Sequence, residues 1–77
     1  MREYMICNQP DDEIFERQCA VLMKHILELI EEATLQDVDG SVIRRFTLAG
    51  KEVIVKNDYY IGGVFIRSEI NLEKFFS

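Results

Sequence analysis

The segment from Asp11 to about Leu35, DDEIFERQCAVLMKHILELIEEATL, is the one long stretch with helical periodicity. Phe15, Cys19, Leu22, Ile26, Leu29 and Ala33 recur at alternating steps of four and three, and Met23 and Ile30 widen the stripe. At about 100° per residue these side chains share one face. A helix with a single apolar face must lie against an apolar surface, so the remainder of the chain is read as the supplier of that surface. A chain of 77 residues leaves room for one domain, spanning 1–77, and one core.

The flanking sequence is strand-like. Arg2–Cys7 (REYMIC) has the composition of a short strand and is ended by Asn8, Gln9 and Pro10. Asn8 or Asp11 serves as the helix cap, and Asp11, Asp12 and Glu13 place negative charge at the positive end of the helix dipole. Val21 falls by angle among the polar residues of the outer helix face. After Asp39-Gly40 come residues rich in β-branched and aromatic side chains, punctuated by Ala49-Gly50 and Asn57-Asp58. Those pairs predict tight turns joining three antiparallel strands, about Ser41–Leu48, Lys51–Lys56 and Tyr59–Arg67. Gly62-Gly63 inside the last strand marks a bulge, a bend or a close approach of another backbone. Asn71 or Ser68 caps a short C-terminal helix holding Leu72, Phe75 and Phe76. The expected fold is α+β in two layers: one long helix packed on a small antiparallel sheet, in the order β-α-β-β-β, with a short C-terminal helix.

Two-residue turns would set the register. Phe46 then pairs with Val53, Lys56 with Tyr59 and Val55 with Tyr60. One sheet face gathers Val42, Phe46, Leu48, Val53, Val55 and Tyr60, with Arg44 the single intruder, and is the better partner for the helix. The other face is mixed. It brings Arg45, Ile54 and Ile61 side by side, flanked by Ile43, Lys56 and Tyr59. A surface meant only for water does not gather isoleucines and a tyrosine, and one meant for the core does not hold Arg45 and Lys56. Arg and Tyr beside aliphatic residues are typical of recognition surfaces. The competing expectation is that Phe75 and Phe76 fold back and cover this face.

Signals for chemistry are weak. His25 and Cys19 stand six residues apart, about 600° around a helix, so they point apart and do not form a nucleophile–base pair. Cys7, Cys19 and His25 lack any spacing that suits a metal site. Asp37-Val38-Asp39-Gly40 looks like part of a calcium loop, but Leu48 stands where the closing glutamate is needed. Gly62-Gly63 has no Lys-Ser/Thr after it and makes no phosphate loop. No catalytic residue, metal site or cofactor is therefore expected.

Asp58-Tyr59-Tyr60-Ile61-Gly62-Gly63-Val64-Phe65-Ile66-Arg67, followed by Leu72-Glu73-Lys74, resembles the C-terminal segment of the delta subunit of ATP synthases. There an Asp-x-x-Ile-Gly-Gly run enters a strand. The resemblance is local, the family's intervening loop is missing, and it implies no function.

Charge narrows the partner. The net charge is −5, which disfavours general affinity for nucleic acid or anionic lipid. Residues 1–40 hold three basic and ten acidic groups, whereas residues 41–67 hold five basic and two acidic ones. The apolar run Cys19–Ile30 is broken by Lys24, His25 and Glu28 and cannot span a bilayer. Two cysteines and no signal-peptide pattern predict free thiols in a cytoplasmic setting. The expected function is that of a small interaction module, an inhibitor, immunity-type or regulatory protein. It would bind another protein through Arg45, Ile54, Lys56, Tyr59 and Ile61, with a homodimer as a further expectation. The alternative is a nucleic-acid-binding module using the mildly basic sheet face.

Overall fold

The computed structural model describes residues 2–75, with side chains through Glu73. The chain runs β1 (Arg2–Cys7), α1 (Asp12–His25), β2 (Ile30–Gln36), β3 (Val42–Leu48), β4 (Lys51–Asp58) and β5 (Gly63–Ser68). A single 3-10 turn follows at Leu72–Phe75. The strands form one antiparallel sheet in the order β1-β5-β4-β3-β2, and α1 lies across one face, chiefly over β4. One helix on an antiparallel sheet, entered by an N-terminal strand, is what the sequence predicts. The helix length, the strand count, one register and the terminal segment differ.

The helix is shorter than its periodicity suggests. Asp11 is the cap, its Oδ1 accepting from the Ile14 N–H at 3.0 Å, and Lys24 and His25 close the last turn. At 1.5 Å per residue, a helix from Asp11 to Leu35 would be about 37 Å long, longer than the 31 Å greatest extent of the domain. A helix of 14 residues is about 21 Å long, close to the length of the strands beneath it. Ile26 and Leu29 remain buried, held by a turn in which the Leu29 N–H donates to the Ile26 carbonyl at 3.0 Å. The stripe thus identified Phe15, Cys19, Leu22, Ile26 and Leu29 as buried, but Met23 and Ile30 are exposed and Ala33 is only half-buried, and the conformation that buries Ile26 and Leu29 is not helical. Residues 30–36 instead pair with β3, with Ile30 opposite Thr47 and Gln36 opposite Val42. Glu31, Glu32 and Ala33 are good helix formers, but intrinsic propensity is worth only tenths of a kcal/mol per residue and a tertiary ladder overrides it.

The β3–β4 hairpin has the predicted register, with Phe46 opposite Val53 and Leu48 opposite Lys51. Ala49 and Gly50 both take positive φ, 52° and 80°, as a two-residue hairpin turn requires. The β4–β5 connection is longer than predicted. Asn57 and Asp58 stay in β4, and Lys56 pairs with Phe65 rather than with Tyr59. The displacement from 59 to 65 is even, so β5 keeps its assignment of side chains to faces. Val64, Ile66 and Ser68 face the helix, and Phe65 and Arg67 face away.

The core lies between α1 and the sheet. Phe15, Cys19 and Leu22 of the helix meet Phe46, Val53, Val55, Val64 and Ile66, with Leu72 closing one end. Arg44, the intruder on this face, reaches around the helix edge. Its guanidinium binds both oxygens of Glu16 at 2.9 and 3.0 Å, its Nε donates to Thr34 Oγ1 at 3.0 Å, and it sits 5.1 Å over the Phe15 ring. One arginine thus ties β3 to α1 and to the edge strand β2 while its stem stays packed. Beside it, burial pushes the Cys19 thiol up to about 11, so the thiol stays protonated and serves as a small apolar group.

The terminal segment turns toward the helix side. Leu72 is buried in the core, and its N–H donates to Tyr4 Oη at 3.3 Å. The expected packing of the Phe75 and Phe76 side chains lies outside the described residues. Gly63 faces a close approach: a Cβ there would lie 2.9 Å from the Cys7 carbonyl oxygen, beside the bulge that interrupts β1 between Met5 and Cys7.

Candidate functional site

The sheet face turned away from α1 carries four of the five residues expected to bind a partner. Arg45 and Ile54 are direct cross-strand neighbours, and Lys56 stands opposite Ile43 one step along. Ile61 is not in a strand. It belongs to the loop between β4 and β5, yet it lines the same shallow groove as Ile43, Ile54, Lys56, Phe65 and Arg67. The groove encloses about 210 Å³.

Tyr59 does not join them. The longer loop carries it to the helix side, where its hydroxyl donates to Asp12 Oδ1 at 3.0 Å. That bond to a carboxylate holds the Tyr59 hydroxyl above its ordinary pKa. The sequence placed Tyr59 beside Ile61 because it assumed a tight turn at Asn57-Asp58, and that turn does not form. Asn57 is fully buried and occupied elsewhere: its Oδ1 accepts from the Asp11 N–H at 3.1 Å and its Nδ2 donates to Asp12 Oδ1 at 2.8 Å.

Asp58 builds the loop that presents Ile61. Its Oδ1 accepts from the Tyr60 and Ile61 N–H groups at 2.8 and 2.9 Å, and its backbone carbonyl accepts from Gly62 at 2.9 Å. Gly62 has φ +89°, a backbone conformation that suits glycine. Lys56 Nζ lies 3.0 Å from the second carboxylate oxygen. The Ile61 N–H, then Lys56 and the Tyr60 N–H, hold the Asp58 carboxyl below its usual range against the opposing effect of burial. A carboxyl whose folded pKa lies below its unfolded one stabilises the protein fully above the unfolded value, near 4. That contribution is lost as pH falls through the folded value. Asp58→Asn is therefore expected to be less stable than wild type at pH 7, with the gap closing as melting is measured at successively lower pH below about 4. A gap that stays constant down to pH 2 would show that the charge is not what holds the loop.

Among the described residues, the cations of this face are engaged. Arg45 lies 3.6 Å from Glu52, Arg67 lies 3.2 Å from Glu3, and Lys56 is bound to Asp58. The two exposed pairs, Arg45–Glu52 and Arg67–Glu3, contribute little to stability, about 0–1 kcal/mol each, whereas Asp58 is buried; together the pairs leave the face nearly neutral around an apolar centre. Phe65 is 7% exposed, Met5 60% and Ile61 66%. Phe65, Arg67, Glu3 and Met5 were missed by the sequence reading. The period-2 alternation of β5 and β1 would have placed them here had the pairing of β1 with β5 been known.

Among the described residues there is no group of three or more His, Cys, Asp or Glu side chains placed to hold a metal ion. No helix among the described residues is long and apolar enough to cross a membrane. The chain matches no protein-family model, no curated protein and no solved structure.

Proposed function

We propose that the protein is a small interaction module that binds another protein through the sheet face opposite its helix. The observation that carries this reading is the apolar groove on that face, walled by Ile43, Ile54, Ile61 and Phe65 and bordered by Arg45, Lys56 and Arg67. In an antiparallel sheet with a helix on one side, the second side is free to be polar. Here it keeps isoleucines instead, and a loop is built to lay one more over them. Apolar centres with arginine at the border are the usual composition of protein-binding surfaces. An inhibitory, immunity-type or regulatory role, acting by binding rather than catalysis, suits a domain of this size. Nucleic-acid binding through the same face gains little support, because each of its cations lies against a carboxylate.

The test is the double variant Arg45→Ala with Ile61→Ala, whose side chains are well exposed. Its melting temperature is expected to stay within a few degrees of wild type, since exposed truncations cost about 0.5 kcal/mol or less. A partner captured by the tagged wild-type protein from its native cells should be lost from the variant. A variant that retains the partner overturns the reading. A captured nucleic acid whose retention collapses between low and high salt would favour the alternative.

A further inference from the structure

We infer that the partner docks as an amphipathic α-helix laid across the strands, with its apolar stripe on the sheet and acidic side chains along one flank. This names the chemistry of the partner at the face already described and rests on that reading.

The strand registers place one residue from each strand in a single line across this face. Leu35, Ile43, Lys56, Phe65 and Met5 stand opposite one another in turn, from β2 through β3, β4 and β5 to β1. The β2 bulge falls before Ala33 and the β1 bulge after Met5, so neither displaces the line. Four of its members are apolar. Lys56 adds its stem, because its ammonium is drawn to Asp58. The two ends are open, Leu35 and Met5 each being 60% exposed. The line thus crosses the whole sheet, four strand spacings or about 19 Å.

Two physical points select a helix for it. An extended segment laid on a sheet face leaves its own N–H and C=O groups without partners, whereas a helix satisfies them internally. The helical pitch, about 5.4 Å, is also close to the strand spacing of about 4.8 Å, so successive turns meet successive strands. About 13 residues, apolar at i, i+4, i+7 and i+11, cover the line from edge to edge.

Charge decides which kind of helix. One side of the line is bordered by Arg45, Ile54 and Arg67, paired across β3, β4 and β5. The two arginines stand two strands apart, about 10 Å, or roughly two helical turns. Their carboxylates lie farther out, Glu52 beyond Arg45 along the strands and Glu3 at the β1 edge. Exposed pairs of this kind are weak, so a ligand carboxylate replaces them at little cost. Acidic residues seven apart on the matching flank of a helix complement both guanidiniums.

The test titrates the protein with a helix-stapled peptide carrying leucine at the four stripe positions and glutamate at two flank positions seven apart. Methyl NMR is expected to show shifts at Leu35, Ile43, Ile54, Ile61 and Met5, with Met23 on α1 unshifted. Leu35→Asp and Met5→Asp, on opposite edges, should each weaken binding about tenfold while keeping the melting temperature. A peptide with lysine on the flank should bind about tenfold more weakly. That order should invert in Arg45→Glu combined with Arg67→Glu. No binding, equal affinity for the two peptides, or edge variants that bind like wild type would overturn the proposal. So would a wild type that sedimentation shows to be dimeric through this face, making a second copy the occupant. The broader reading has its own readout. A natural partner lost from the Arg45→Ala, Ile61→Ala variant while the peptide fails leaves the face a binding surface and rejects only the helix.

Discussion

Phe46→Ala is expected to destabilise the protein by about 3–5 kcal/mol, the largest effect of any single truncation. Phe46 sits at the middle of β3, has no exposed surface, and stands opposite Val53 beneath the helix. Replacing it removes the largest fully buried side chain, from the centre of the core, and the surrounding strands are too constrained by their ladders to collapse into the space. At roughly 0.05–0.15 kcal/mol of stability per residue a domain of this size has about 4–12 kcal/mol in all, so a loss of this size removes a quarter or more of it. Urea denaturation should show it, with the midpoint displaced far below wild type. A midpoint lowered by only the equivalent of about 1 kcal/mol would place Phe46 outside the core and contradict the β3–β4 register.

The second large effect is expected at Asn57, where Asn57→Ala should cost about 2–3 kcal/mol. The Asn57 amide is the clasp between β4 and the start of α1, accepting from the Asp11 N–H and donating to the Asp12 carboxylate. Removing it strands partners at a partly buried helix terminus, and unsatisfied groups there cost more than the bond itself contributed. Asn57→Asp should be worse at neutral pH, because a second carboxylate would face Asp12, and should recover as acid protonates the pair. Thermal melting at pH 7 and pH 4 checks both variants. If Asn57→Ala melts with wild type, the helix start is held by apolar packing alone.

Much of this architecture was legible in the sequence because burial leaves a periodic trace. Phe15, Cys19, Leu22, Ile26 and Leu29 were identified as buried from spacing, and Phe46, Val53 and Val55 from alternation. Spacing could not reveal that the helix ends at His25, since Ile26 and Leu29 are buried equally well by the turn that follows. It could not reveal β2 either, whose side chains are nearly all exposed and so carry no apolar alternation. Asn57-Asp58 has the chemistry of a tight turn, but Asn57 stays in the strand, paired with Val42 and Val64 and bonded through its amide to Asp11 and Asp12 at the start of α1. The longer loop that follows leaves Tyr59 on the helix side. The grouping of Arg45, Ile54 and Lys56 on the face away from the helix was legible because it depends on parity, which an even change of register leaves intact. Its participants from β1 were invisible, because pairing between the first and last strands is set by the whole fold.

The central claim is that the two sides of the sheet have separate tasks, with the core under α1 and recognition on the other side. Hydroxyl-radical footprinting of the protein, alone and with its captured partner, tests it most directly. The account predicts that the partner protects Ile43, Ile54 and Ile61, while oxidation of Met23 on the helix is unchanged. Protection confined to α1, with Ile54 and Ile61 as reactive as in the free protein, would contradict it.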